Sequence, residues 1–417
     1  MKNQDYVTLI LAGGNGKRLS VLTKETPKPA ITFGGVYRLI DFTLSNCKHS
    51  NAGVIGLITQ YCRQDLADYI GSGAQWLPES ESARLTLLSP KTKKGQSEFY
   101  KGTADAILQN ADFVEQYNPV NVLVLSGDHV YKMDYAKMLE AHEKSGAALT
   151  IASTNVPLSE ASRFGIINTD KNNMITGFEE KPKQPQSDLA SMGIYVFNWA
   201  RLKKYLHKSG KNLKSGMDIG GDIIPEMIMS GEKLAAYLFD GYWKDVGDIY
   251  NLWEANMELL AAPPSIRLNG DGWEIISRNN GAKLHHKHSY AKNGHIINSL
   301  VTEDCINKGT VMRSVISSRV EIGEDARIVD SVIMPGAKIG RGSFVLKAII
   351  GANTTVEEYT AIGDVKPDGK CLDNYQGISV VGNNVNVCTR IGLSPFVPAD
   401  FFQARMNRGF CFDVQVC

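Results

Sequence analysis

Residues 314–364 fall into three consecutive segments of equal length, SVISSRVEIGEDARIVD (314–330), SVIMPGAKIGRGSFVLK (331–347) and AIIGANTTVEEYTAIGD (348–364). Ile316, Ile333 and Ile350 share one position of the repeat, Ile322 and Ile339 a second, and Gly323 and Gly340 a third. A repeat this short cannot bury its aliphatic face alone, so neighbouring copies must stack on one another. The segment predicts a β-solenoid, and GISVVGNNVNV (377–387) supplies material for another coil.

The preceding 260 or so residues follow another rule. Short apolar runs, YVTLILAGG (6–14), VIGLITQ (54–60), NVLVLSGDH (121–129) and AALTIAST (147–154), alternate with helix-like stretches. Continuous rather than alternating hydrophobicity predicts strands buried on both faces, as in a parallel α/β sheet. Ligands of such sheets bind beyond the carboxyl ends of the strands, where LAGG and SGDH lie. Between the two regions, residues 262–292 lack sustained periodicity and read as a linker. The expected division is therefore 1–261 for the α/β domain, 262–292 for the linker, 293–393 for the solenoid and 394–417 for a C-terminal segment.

Composition narrows the function. The formal net charge of +1 has no block of like charges behind it, so there is no electrostatic footprint for nucleic acid. No apolar run approaches the roughly 20 residues that span a bilayer, and the N-terminal run reads as a buried first strand rather than a signal peptide. Seven cysteines (Cys47, Cys62, Cys305, Cys371, Cys388, Cys411 and Cys417) form no CxxC pair, which suits a reducing, cytoplasmic compartment. The HHKH run (285–288) falls in the linker and reads as solvated surface.

LAGGNGKRLSVLTKETPKPAI (11–31) carries the most chemistry. Gly13, Gly14 and Gly16 follow the first strand, and residues without Cβ let backbone N–H groups turn toward an anion. Lys17, Arg18 and Lys28 add the cations a triphosphate needs. A dinucleotide fingerprint would want an acidic residue about 20 positions on, and a P-loop would want GK[ST]. Neither is present. Asp128, at the end of a buried strand near this loop, is a natural magnesium ligand. His129, with no histidine near it in sequence, reads as structural.

LAGG-x-G-x-RL followed by KPA resembles the signature of the sugar-phosphate nucleotidyltransferase family. FGGVYRLIDFTLSNC (33–47), YKGTADAI (100–107), LSGDHVYKMDY (125–135), FEEKP (178–182), ASMGIYVFN (190–198) and GYWKDVGDIYNLWEANMELL (241–260) are similar to its bacterial ADP-glucose pyrophosphorylase branch. The IG steps of the repeats resemble the left-handed parallel β-helix of this and related families. The resemblance implies an α/β fold: a Rossmann-like nucleotidyltransferase domain with a mostly parallel sheet, followed by that β-helix. It implies adenylyl transfer from ATP to glucose 1-phosphate for glycogen synthesis, Mg2+ as cofactor, and a homotetramer, or a hetero-oligomer with a regulatory subunit. Neither nucleic acid nor membrane is an expected partner.

Residue roles follow by the same resemblance. Arg18, Lys28 and Asp128 would carry the chemistry, and Asp245 in WKDVG would join Asp128 on the metal. Tyr100, Gly102, Thr103 and Ala104 would form the nucleoside loop beside Gly13 and Gly14. Glu180 and Lys181 would hold the sugar phosphate, in a pocket lined by Gly165, Ser191, Gly193 and Tyr195.

Some positions depart from the family pattern. Glu25, Thr26 and Pro27 stand where basic residues often precede KPA, Val36 where lysine is common after FGG, and Asn15 at a frequently basic site. Fewer cations weaken the expectation of activation by a sugar bisphosphate. A family run of Asp-Phe-Gly type reads Asp218-Ile219-Gly220-Gly221-Asp222 here, and Asp218 is carried over with that departure. The alternatives are a catalytically weak regulatory subunit and a pyrophosphorylase for another nucleotide sugar. Against the first, Arg18, Lys28, Asp128, Lys181 and Asp245 are all present; against the second stand the GTADA and SNC strings. An acyltransferase, which β-helices often are, would need a histidine in the coils, and the last is His295.

Overall fold

The computed structural model describes residues 6–14, 16–60, 63–93, 96–97, 99–209, 217–278, 284–286, 289–291, 294–363, 376–388 and 415–416. Asn15, Cys62, Cys371, Cys411, Cys417, the second half of the HHKH run and nearly all of the 394–417 segment lie outside the described residues. The chain divides into two compact units, one of Met1–Asn15 with Ile40–Trp243, the other of Gly16–Leu39 with Lys244–Cys417. No helix among the described residues is long and apolar enough to cross a membrane.

The first unit is built on a nine-stranded sheet. Its strands are β1 (Tyr6–Leu11), β2 (Val54–Ile58), β3 (Arg84–Leu88), β4 (Asn121–Ser126), β5 (Leu149–Asn155), β6 (Gly165–Thr169), β7 (Ile175–Glu180), β8 (Leu189–Asn198) and β9 (Leu234–Leu238). The order along the sheet is β7-β6-β8-β4-β1-β2-β3, with β5 paired to β8 and β9. The four predicted apolar runs are β1, β2, β4 and β5, and nearly every residue in them is buried. β4, β1, β2 and β3 run parallel, as expected. β8, however, runs antiparallel to both β4 and β5, and β6 and β7 are antiparallel as well, so the sheet is mixed. A strand covered on both faces shows the same apolar run whichever way its neighbour points, so sequence pattern does not reveal this.

Register sets the functional edge of the sheet. Leu11 at the end of β1 pairs with Ser126 at the end of β4, and Gly127 N donates to Leu11 O at 3.1 Å. The glycine loop and the SGDH turn therefore leave adjacent strands side by side. Beneath them lies α1 (Leu39–His49), whose Asp41, Thr43, Ser45 and Asn46 are fully buried. Buried polar groups must be partnered, and these hold the chain after β4. Thr43 Oγ1 donates to Ser126 O at 2.8 Å, Asn46 Nδ2 to Tyr131 O at 3.2 Å, and Asn46 Oδ1 accepts from Met133 N at 3.2 Å. Asp41 accepts from the Tyr69 hydroxyl at 2.7 and 2.9 Å.

In the second unit the repeats form a parallel β-helix of three six-stranded sheets. Ile316, Ile333 and Ile350 stack in one sheet, Ile322, Ile339 and Val356 in another, and Ile328, Val345 and Ile362 in the third. Corners recur at the repeat spacing with positive φ: Arg313, Asp330 and Lys347 on one edge, Asp325, Gly342 and Tyr359 on another, Arg319, Gly336 and Asn353 on the third. Ser379–Val381 and Asn386–Cys388 add the further coil expected from 377–387. Leu284–His286 and Ser289–Ala291, within the span read as a linker, pair antiparallel onto these sheets. Cys47 and Cys305 are free thiols, whereas Cys388 is disulfide-bonded.

Gly16–Leu39 and a helix, α2 (Ile249–Glu258), also belong to this unit. α2 places Trp253 Nε1 2.7 Å from Asp330 O, and Asn256 Oδ1 accepts from Gly34 N at 2.9 Å.

Ile333 is fully buried between Ile316 and Ile350. Ile333→Ala should cost about 2–5 kcal/mol and Ile333→Val about 0.5–1.5 kcal/mol, read as graded falls in the thermal unfolding of the β-helix. Equal midpoints for the two variants would mean the coils close around the cavity.

Candidate active site

A cavity of about 550 Å³ opens in the first unit at the carboxyl ends of β1 and β4. Gly13, Gly14, Tyr100, Gly102, Thr103, Asp128, Glu180, Lys181, Gly193 and Tyr195, all expected from the sequence, line it. Ala104, Gly165 and Ser191 do not; Ala104 is fully buried below the loop. A second hollow, along one β-helix sheet, is lined by Lys308, Glu321, Lys338, Glu357 and aliphatic side chains. Its Lys338–Glu321 pair, 3.0 Å apart, is a solvated cross-strand contact without strand-end chemistry.

The glycine loop provides bare backbone. A Cβ on Gly14 would meet nothing within 4 Å, so this stretch faces open space. Gly102 is the opposite case, since a Cβ there would fall 2.4 Å from Met217 O. That close approach lets Met217 O accept from Ala104 N at 2.9 Å. Asp218 Oδ1 accepts from Thr103 N and Oγ1 at 3.0 Å each, and Thr103 Oγ1 accepts from Ile219 N at 2.9 Å. Asp218 thus ties down the 100–104 loop. Gln60, which sequence reasoning missed, holds its other end by accepting from Tyr100 N at 2.6 Å. Gln60 directly follows the apolar run of β2 and Thr59, so its place at a strand end was a signal available in the sequence. Burial raises the Tyr100 phenol above its ordinary pKa.

Asp128 sits on the turn after β4, its side chain 23% exposed, with Ser126 Oγ donating to Oδ1. His129 Nε2 lies 3.6 Å from the same oxygen, and its ring packs edge-on against Trp243 at 5.4 Å. One carboxylate facing a wet cavity suits a hard divalent cation that keeps water and phosphate oxygens as its other ligands. Among the described residues no cluster of three or more His, Cys, Asp or Glu could enclose a metal.

At the far wall, Lys181 holds a left-handed φ of 46° and pairs its Nζ with Glu180 Oε1. The Glu180 carboxylate reaches Gly220, where a Cβ would stand 2.4 Å from Oε2. The register of β8 against β5 breaks between Ser191 and Tyr195, with Gly193 at φ 68° in the interruption. Burial pushes the Tyr195 phenol up to about 12, opposed by a hydrogen bond with Ser191 and reinforced by the Glu180 and Asp218 charges. Tyr195 is therefore a neutral hydroxyl at physiological pH.

Arg18, Lys28 and Asp245 belong to the second unit. Lys28 is 7% exposed, and its Nζ lies 3.2 Å from Asp245 Oδ1. A Cβ on Gly247 would fall 3.0 Å from Arg18 Nη2 and 3.1 Å from Asp245 Oδ2, so this glycine gives both groups room. Asp245 thus has a cation beside it.

Residues 7–262 match the family model for nucleotidyl transferases, and residues 280–381 match the GlmU-like C-terminal hexapeptide model. The nucleotidyl transferase match covers more than half of the chain, and the hexapeptide match makes the β-helix left-handed. The chain is 46% identical over 361 residues to glucose-1-phosphate adenylyltransferase of Bacillus cereus strain Q1, spanning 87% of this chain and 95% of that protein. Against the enzyme of the same name from Desulforamulus reducens it is 45% identical over 390 residues, 93% of this chain and 96% of the other. The chain belongs to the glucose-1-phosphate adenylyltransferase family of nucleotidyl transferases.

Gly102→Ala forces a methyl into a backbone carbonyl that cannot swing aside, an overpacking error worth about 1–3 kcal/mol. Its thermal midpoint should fall clearly, while that of Gly14→Ala should stay at the parent value. Equal midpoints for the two would show that the 100–104 loop repacks freely.

Proposed function

We propose that this chain transfers the adenylyl group of ATP to glucose 1-phosphate, giving ADP-glucose and pyrophosphate for glycogen synthesis. The observation that carries the reading is the shared cavity: the glycine loop and Asp128 on adjacent strand ends, with Glu180, Lys181 and Tyr195 in the same wall. A phosphate oxygen of glucose 1-phosphate attacks the α-phosphorus in line. A new P–O bond forms as the bond to the bridging oxygen breaks, and pyrophosphate leaves with that electron pair. The nucleophile is already ionised near neutral pH, so no general base is needed and the protein's work is positioning and charge neutralisation.

Lys181 holds the attacking phosphate and Glu180 accepts hydrogen bonds from glucose hydroxyls. Tyr195, kept neutral by burial, donates in the same pocket. Gly13 and Gly14 offer backbone to the polyphosphate, and Tyr100, Gly102 and Thr103 shape the nucleoside subsite. Arg18 and Lys28 balance the leaving pyrophosphate. Asp128 and Asp245 would hold Mg2+, which when bound draws negative charge from the phosphates. On this reading the working molecule is a cytoplasmic homotetramer, an assembly whose mass light scattering would test.

Two replacements test the assignments. Asp128→Asn, similar in shape, should lower turnover by about 10²–10³-fold, as removal of a group that stabilises developing charge does, with the thermal midpoint retained. Parent-like turnover would remove Asp128 from the chemistry. Lys181→Ala should raise KM for glucose 1-phosphate and leave that for ATP near the parent value. The reverse pattern would move Lys181 to the nucleotide subsite.

A further inference from the structure

The 17–23 segment is a pair of short 3₁₀ turns joined at Ser20, whose φ of 52° and ψ of −124° are ones that side-chain-bearing residues rarely adopt. Such a conformation costs on the order of 1–3 kcal/mol and persists only where surrounding contacts enforce it. Leu19 and Leu22 are buried and anchor one side of the segment. Thr23 Oγ1, donating toward Gly16 O at 2.9 Å and Ser20 O at 3.3 Å, closes it from within.

Further contacts come from the β-helix, where Asn383 lies 361 residues from Leu22 in sequence. Asn383 Nδ2 donates to Leu22 O at 3.3 Å. Asn383 Oδ1 accepts from Ala352 N at 2.9 Å, which fixes the amide the right way round, because only the oxygen can take that proton. Beside it, a Cβ on Gly382 would lie 3.3 Å from Val21 Cβ, so the coil backbone rests closely on the segment. The Gly382 carbonyl is itself held by Thr354 Oγ1 at 2.6 Å. The coil is thus fastened to its neighbour and can act as a fixed support.

We propose that Asn383 is a positioning residue for Arg18: the β-helix corner at Gly382 and Asn383 sets the strained turn that aims the Arg18 guanidinium at the polyphosphate. It rests on the reading of Arg18 as a polyphosphate ligand. In this light the coil at 377–387 has a second task beyond stacking. Arg18 is read as a ligand of the polyphosphate and not of the sugar phosphate, so a fault at the corner should show in the nucleotide constant.

The test is steady-state kinetics on the full-length enzyme with Asn383→Asp, Arg18→Ala and the double variant. Asn383→Asp is isosteric and keeps an oxygen for Ala352 N, but replaces the donor to Leu22 O with a carboxylate oxygen that repels it. It should raise KM for ATP about three- to tenfold, the size expected for one hydrogen bond, and leave KM for glucose 1-phosphate and the thermal midpoint near parent values. Gly382→Ala, which presses on Val21, should shift the same constant. Because Asn383 acts through Arg18, adding Asn383→Asp to Arg18→Ala should change nothing more.

A further rise in KM for ATP in the double variant, or an equal rise in both substrate constants for Asn383→Asp, overturns the proposal. So does an unchanged KM for ATP in Asn383→Asp while Arg18→Ala raises it. If Arg18→Ala itself leaves KM for ATP unchanged in an enzyme that makes ADP-glucose, the reading of Arg18 fails first and the positioning role goes with it.

Discussion

The pairing of Leu11 with Ser126 underlies everything in the first unit. It brings the end of β1 and the end of β4 side by side, so a glycine loop that can face phosphate and a carboxylate that can face a cation emerge at one edge. A slip of one residue would turn every side chain of β4 to the opposite face of the sheet. The buried polar face of α1 guards against that slip. Thr43 bonds the last residue of β4, and Asn46 bonds the chain five and seven residues beyond it, at Tyr131 and Met133. An apolar helix of the same shape would cover the sheet but would leave those backbone groups without partners, at a cost comparable to the hydrogen bonds lost.

The stretch DFTLSNC makes physical sense only with this clamp in view. On sequence alone it serves as a family marker, since nothing in a helix pattern explains why Asp41, Thr43, Ser45 and Asn46 should be inside. The repeats stand at the other extreme: Ile316, Ile333 and Ile350 could be stacked from spacing alone, because each coil's neighbour is dictated by the period. The glycine loop and Asp128 were legible for a similar local reason, lying at the ends of recognisable strands. Partners chosen across long distances were not legible. The antiparallel course of β8, the grip of Asp218 on Thr103 and the pairing of Lys28 with Asp245 join residues that no period relates.

Charge pairing ranks the cations. Lys181 is 62% exposed beside Glu180, and a pair that solvated is worth only about 0–1 kcal/mol. A dianion could take Lys181 from its carboxylate at little cost, as the sugar-phosphate role proposed for it requires. Lys28 and Asp245 differ, with side chains 8% and 16% exposed. Separating them would leave a charge poorly solvated, and breaking such a pair is costly even where forming it contributes little.

That contrast separates two kinds of lysine in one enzyme. A phosphate that approaches Lys28 meets a cation already shared with a carboxylate, so the net attraction it feels is smaller than the lysine alone would give. Arg18, in the same unit as Lys28, lies on a segment with a strained hinge at Ser20. A strained hinge makes the direction of the guanidinium sensitive to small forces, and the β-helix corner is where such forces enter. On the positioning role proposed for Asn383, the solenoid would act on the phosphate chemistry through backbone geometry. Long-range charge could not serve as well, because at physiological salt it decays over roughly 8 Å.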